Sequence, residues 1–193
     1  REMPDHAFPK DRIFTLIGTN PQDYDAARGL SSKIVGPKSD GLVQIENAYV
    51  PGARFAFVHR SHSGRYGIVN SEEGYQNLTR FLFGDMRVDG ILDVDDITLP
   101  IEVQKAFDNG SDVKASYQFE IAVSVRGCQW QMTRRERREH SAIFRTYGQL
   151  FPGADRTHRP PDRSASPHLF SAFLDSSKSV KASKTVSFAF DVK

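Results

Sequence analysis

Arg54-Phe55-Ala56-Phe57-Val58 runs directly into His59-Arg60-Ser61-His62-Ser63-Gly64. The first five residues are a short, nearly continuous apolar run. Such a run suits a strand covered on both faces, as in a parallel sheet. Upstream, Ile13-Phe14-Thr15-Leu16-Ile17 has the same character, and Gly18 ends it. About 35 residues separate the two runs, ample for a parallel crossover. Inside that connection lies Ser39-Asp40-Gly41-Leu42-Val43, which reads as loop. A carboxylate after the first strand and two histidines directly after the second fit the carboxyl edge of a parallel sheet, where a rigid scaffold aims loop residues at a cleft.

Following a polar loop over 59–69, residues 71–83 read as a helix. Tyr75, Leu78 and Leu82 fall at i, i+3 and i+7, and Phe81 widens the stripe. Asn70 is the expected N-cap, with Glu73 three residues on, and Gly84 the expected stop. Past Gly84 the period becomes two. Tyr117, Phe119, Ile121, Val123 and Val125 alternate with polar or small residues, and Gly127 shifts the phase to Cys128, Trp130 and Met132. Residues 167–174 and 186–192 supply further strands, while 156–167, rich in Arg, Pro and Ser, reads as an exposed loop. The expected architecture is an α/β part over residues 1–87 followed by a mainly β, sandwich-like part over 88–193.

A histidine acting as general base needs a carboxylate on its other ring nitrogen to fix the tautomer and stabilise the imidazolium. Asp40, 22 residues before His62, is the candidate acid, and His62 the candidate base. His59 competes for the base role, but its place directly after the strand favours a wall position. For either histidine the bland alternative is a surface loop residue, and for Asp40 a turn residue.

The stretch Ile13–Asp85 resembles the C-terminal part of the α/β-hydrolase fold, in its lipase and esterase branch. The matching pieces are Ile13-Phe14-Thr15-Leu16-Ile17-Gly18-Thr19, Ser39-Asp40-Gly41-Leu42-Val43, Phe57-Val58-His59-Arg60-Ser61-His62-Ser63-Gly64 and the helix from Asn70 to Phe83. The resemblance implies that Asp40 is the triad acid and His62 the triad base of a serine hydrolase cleaving a small-molecule or lipid ester, with no cofactor. In that family the serine precedes both and sits in G-x-S-x-G. No two glycines here are four residues apart, so that motif is absent. An initial Arg1, and an alternating strand that runs to Lys193, lead us to expect a piece of a longer polypeptide whose N-terminal half carries the nucleophile. The alternative is a non-catalytic hydrolase-like scaffold joined to a β-sandwich binding module.

A length of 193 residues allows one large domain or two small ones, and 38% hydrophobic content is enough for a packed core. A formal charge of +2 is too small to imply nucleic acid. No apolar run approaches the roughly 20 residues of a membrane span. Compartment and oligomeric state are open. Cys128, alone of its kind, excludes an internal disulfide and reads as a small buried hydrophobe. His59 and His62 lack the further ligands that zinc requires. Ser61 and Ser63 are tied too closely to His62 to serve as nucleophiles. The run Arg134-Arg135-Glu136-Arg137-Arg138-Glu139-His140 could attract phosphates, but its glutamates offset the field and a solvated face is the better reading. Trp130 reads as part of a strand's buried face, with a sugar- or lipid-binding patch as the alternative.

Overall fold

A computed structural model describes Pro4 and residues 8–24, 30–152, 165–179 and 187–193. It is an α/β mixture: a parallel strand pair with its helix, then several small antiparallel ladders. Strands β1 (Phe14–Gly18) and β2 (Arg54–Val58) pair in parallel, with Leu16 opposite Ala56 and Ile17 opposite Phe57. Helix α1 (Leu30–Val35) lies in the crossover between them. Among the described residues β1 pairs with β2 alone, so its outer edge carries no strand.

Helix α2 (Glu72–Phe83) follows the loop after β2. Its N-cap is Ser71, not Asn70: the Ser71 hydroxyl accepts from Gly74 N at 3.0 Å. Glu73 does not complete a capping box; its carboxylate takes two bonds from the Arg60 guanidinium instead. Replacing Ser71 with Ala should therefore cost about 1 kcal/mol of stability. In urea unfolding, Asn70→Ala should cost less, since Asn70 caps nothing and only donates to Gly64 O. Gly84 ends the helix in extended conformation. Its role is close approach: a Cβ there would lie 2.4 Å from Arg80 O and 2.6 Å from Leu174 O.

The expected buried stripe of α2 faces outward. Tyr75, Leu78 and Leu82 are 61%, 55% and 58% exposed, whereas Gly74, Asn77 and Arg80 are buried. The inward face is polar because its groups are satisfied there. Asn77 Nδ2 donates to Met132 O at 2.8 Å, and the Arg80 guanidinium lies over the Trp130 ring at 4.8 Å. Phe81 supplies the apolar contact, stacking on Phe14 and meeting Phe173 edge-on.

The remainder is built from β3 (Met86–Ile91), α3 (Ile101–Asp108), β4 (Ser116–Phe119), β5 (Ile121–Val125), β6 (Thr133–Arg135), β7 (Ile143–Thr146), α4 (Tyr147–Leu150), β8 (His168–Leu174) and β9 (Phe188–Val192). Strand β3 pairs with β8, β4 with β7, and β5 lies between β6 and β9, all antiparallel. The expected sandwich is thus met only as short ladders around one apolar cluster. That cluster joins Ile121 and Val123 of β5, Met132, Ile143 of β7, and Leu169, Phe170, Ala172 and Leu174 of β8. Each fully buried aliphatic side chain in it contributes about 1.5–3 kcal/mol.

Two further expectations are corrected. The alternating run 117–125 is two strands, because the pairing partner changes from β7 to β9 at Glu120, which exchanges backbone bonds with Lys193. Residues 128–132 form no strand. Gly127, at φ +87°, turns the chain out of the ladder, leaving Cys128 exposed and Trp130 beneath Arg80; only Met132 is buried. Most of the expected 156–167 loop, and Val186, lie outside the described residues.

The parallel pair packs directly on the β region. Phe57 N donates to the buried Thr133 hydroxyl at 2.9 Å, and the Arg135 guanidinium lies 4.3 Å above the Phe57 ring. Asp85 N donates to Leu174 O, tying the end of α2 to β8.

Candidate functional site

Parallel pairing brings the carboxyl ends of β1 and β2 side by side, and the candidate residues stand on the loops above them. Gly18 ends β1. A Cβ on it would meet Arg60 O at 2.6 Å and Asp40 Cβ at 2.7 Å, so the missing side chain lets the Asp40 loop settle onto the strand end. Gly41 turns that loop at φ +97°, and a Cβ there would strike Tyr24.

The loop is held by its own polar groups. Asp40 Oδ1 accepts from Leu42 N at 3.1 Å and Val43 N at 2.8 Å. The Ser39 hydroxyl accepts from Gly41 N and donates to Gly36 O. This leaves Asp40 Oδ2 for His62 Nδ1, 2.9 Å away. A second bond, His62 N to Asp40 O at 2.8 Å, stitches the two loops together. On the His62 side, Ile68 N donates to Ser61 O, and the Ser61 hydroxyl is fully buried and donates to Ser63 O at 3.1 Å.

The chemical consequence is a fixed tautomer. A carboxylate oxygen accepts, so Nδ1 carries the proton and Nε2 is left with a lone pair. Asp40 is 5% exposed, and the His62 side chain 38% exposed. The ring meets Tyr24 edge-on at 6.0 Å, and among the described residues Nε2 has no hydrogen-bond partner. The arrangement is a shielded acid behind an accessible base. No hydroxyl or thiol among the described residues hydrogen-bonds to His62, so the proton acceptor stands ready without a nucleophile of its own.

His59, the competing histidine, is engaged elsewhere. Its Nδ1 lies 3.2 Å from the Thr19 hydroxyl and 3.4 Å from Glu139 Oε1. Glu139 also pairs with Arg134 and accepts from Thr19. It is 5% exposed, so the Arg/Glu run is the expected solvated face only in part: Arg137, Arg138 and His140 are exposed while Glu139 turns inward. Burial alone would raise the Glu139 carboxyl. The bonds and charges of His59 and Arg134 outweigh burial and hold it below the usual carboxylate value. Thr19 and Glu139 are buried partners of His59 that the sequence did not mark. Thr19 could have been found from its place directly after the β1 strand end. Glu139 carried no such signal, because its partner Thr19 lies 120 residues away.

Among the described residues no group of three or more His, Cys, Asp or Glu is arranged to hold a metal ion, and no helix is long and apolar enough to cross a membrane. No protein-family model, no curated protein and no solved structure matches the chain.

Proposed function

We propose that the chain supplies the acid and the base of a Ser-Asp-His triad in a carboxylic ester hydrolase of the α/β-hydrolase type, the serine coming from outside this sequence. The observation that carries the reading is the 2.9 Å contact between Asp40 and His62 above the carboxyl ends of two parallel strands. The order strand, acid loop, strand, base loop, helix agrees with it. His62 Nε2 takes the proton from the serine hydroxyl as that oxygen attacks the ester carbonyl. The imidazolium, stabilised by Asp40, then gives the proton to the departing alcohol, and an acyl-enzyme remains. Water, deprotonated by His62, completes the cycle. The β ladders are the accessory part that carries Glu139 and Arg135 against the strand ends.

The absence of G-x-S-x-G from these 193 residues favours a second reading, a non-catalytic scaffold in which the dyad is only structural. Labelling the full-length gene product with a fluorophosphonate separates the two. The expected result is a labelled serine upstream of Arg1, with labelling lost in His62→Ala. The 193-residue chain alone should hydrolyse no p-nitrophenyl ester. An unlabelled full-length product would overturn the triad. Turnover by the chain alone, lost in His62→Ala, would overturn an external nucleophile.

A further inference from the structure

A cleft of about 830 Å³ opens between the start of β2, the loop 44–52, and strands β3, β6, β7 and β8. Neither Asp40 nor His62 lines it, so the ligand chemistry of this cleft is independent of the ester-hydrolysis reading.

The fold assembles positive charge there. Lys38, Arg54, Arg135 and Arg145 line the cleft, against the carboxylates of Glu46 and Asp89. Asp89 is already committed: it meets Arg54 Nε at 3.3 Å and Arg87 Nε at 3.0 Å, and accepts from the Ser171 hydroxyl at 2.6 Å. Arg135 lies over the Phe57 ring and donates from Nε to Ser141 O, while its terminal amino groups have no hydrogen-bond partner among the described residues. Burial, and next the neighbouring Arg145 charge, pull the Arg135 guanidinium down to about 10. Arg54 Nε is shielded from solvent and faces the Asp89 carboxylate without hydrogen-bond geometry, so the unused donors on this wall are those of Arg135. Burial also lowers His168 on the same wall, with Arg54 and Arg135 acting in the same direction against the opposing pull of Asp89. Like charges held together with unused donors are costly unless an anion enters between them.

The rest of the wall is aromatic. Tyr49 and Phe55 have ring centroids 5.7 Å apart, Phe55 meets Phe57 edge-on at 5.7 Å, and Phe144 stands half-exposed at the rim. Flat apolar surfaces beside planar guanidinium forks suit a ligand with a ring and a planar anionic head. With Arg54 paired to Asp89, the fork left for a ligand is Arg135 beside Arg145, room for one planar carboxylate.

We propose that this cleft is a binding site for an aromatic monocarboxylate, its ring against Phe55 and Phe144 and its carboxylate between Arg135 and Arg145. Calorimetric titration of the chain with 2-naphthoate, and in parallel with neutral 2-naphthamide, tests it. Binding of naphthoate at least about tenfold tighter than the amide is expected, since one charge-assisted hydrogen bond is worth about that factor. Arg145→Gln should weaken naphthoate about tenfold and leave the amide unchanged. Arg145 is safe to replace: its side chain's one described hydrogen bond is to Phe144 O next door, and its backbone pairing with Tyr117 survives the change. Phe144→Ala, also at the surface, should weaken both ligands. Equal affinity for acid and amide, no heat with naphthoate up to about 10 mM, the scale of the weakest specific binding, or indifference to Arg145→Gln would each overturn the proposal.

Discussion

Under the triad proposed above, replacing Asp40 with Asn in the full-length protein is expected to lower kcat for ester turnover by about 10⁴-fold while leaving the fold intact. The reason lies in how the carboxylate is shared. Oδ1 is fixed by Leu42 N and Val43 N, which both donate, so an oxygen must stay there in the variant. The amide nitrogen is then turned toward His62. An NH₂ cannot accept from Nδ1–H, so the ring must present a bare Nδ1 and carry its proton on Nε2. The base is thereby blocked on the side that should face the serine, and the imidazolium loses its counter-charge. His62→Ala should fall further, since it removes the base itself. The two losses should not add when both residues are replaced, because they act as one unit. Steady-state kinetics on a soluble p-nitrophenyl ester, with KM reported alongside, gives the readout. A drop under about tenfold in Asp40→Asn would show that the 2.9 Å contact is a structural hydrogen bond and nothing more.

Which of these features could be read from the sequence depended on how local the information was. The runs 13–17 and 54–58 were legible because a short, nearly continuous apolar run needs cover on both faces, and they appear as β1 and β2 with only β1 displaced by one residue. The Asp40–His62 pairing was legible because parallel strands place their carboxyl ends together, so loops that follow each end can meet. The orientation of α2 was not. Amphipathic spacing says which side of a helix is apolar, not whether anything covers it, and here the covered side is the one whose Asn77 and Arg80 find partners 50 or more residues on, at Met132 and Trp130. Cys128 was misread for a different reason. A phase shift at Gly127 fits a bulge or a turn equally well, and the bond from Cys128 N to Val125 O at 3.0 Å made it a turn. The Arg/Glu run was legible only at Arg137, Arg138 and His140, which are exposed, because alternation of charge in sequence does not reveal that β6 lays Arg135 over Phe57 and that Glu139 returns beneath the carboxyl end of β1.

That return makes Glu139 the position where a single replacement should cost the fold most. Glu139→Ala leaves Arg134, whose Nε already makes no hydrogen bond, without its buried counter-charge, and strips an acceptor from Thr19 and a partner from His59. Breaking a buried pair from one side costs about 3–5 kcal/mol, and since Arg134 is 23% exposed and keeps Glu136 at 3.7 Å the loss should fall at the low end, about 3 kcal/mol. The urea midpoint should fall accordingly, with an unchanged slope. Glu136→Ala is the control. Its pairs with Arg134 and Arg138 are more exposed, and such pairs are worth about 0–1 kcal/mol. The pH dependence has a definite sign. A carboxyl held lower in the folded chain than in the unfolded one stabilises the fold fully above its unfolded value, and that contribution fades as pH falls through the folded value. Because Glu139 lies below its usual 4.5, the wild-type chain should lose stability on acidification beneath that pH, and Glu139→Ala should show a shallower loss over the same range. Parallel curves for the two proteins would mean that the carboxylate is not the group binding Arg134 and His59. A midpoint shift no larger than that of Glu136→Ala would mean that the β ladders dock on the strand ends through Phe57, Thr133 and Arg135 alone.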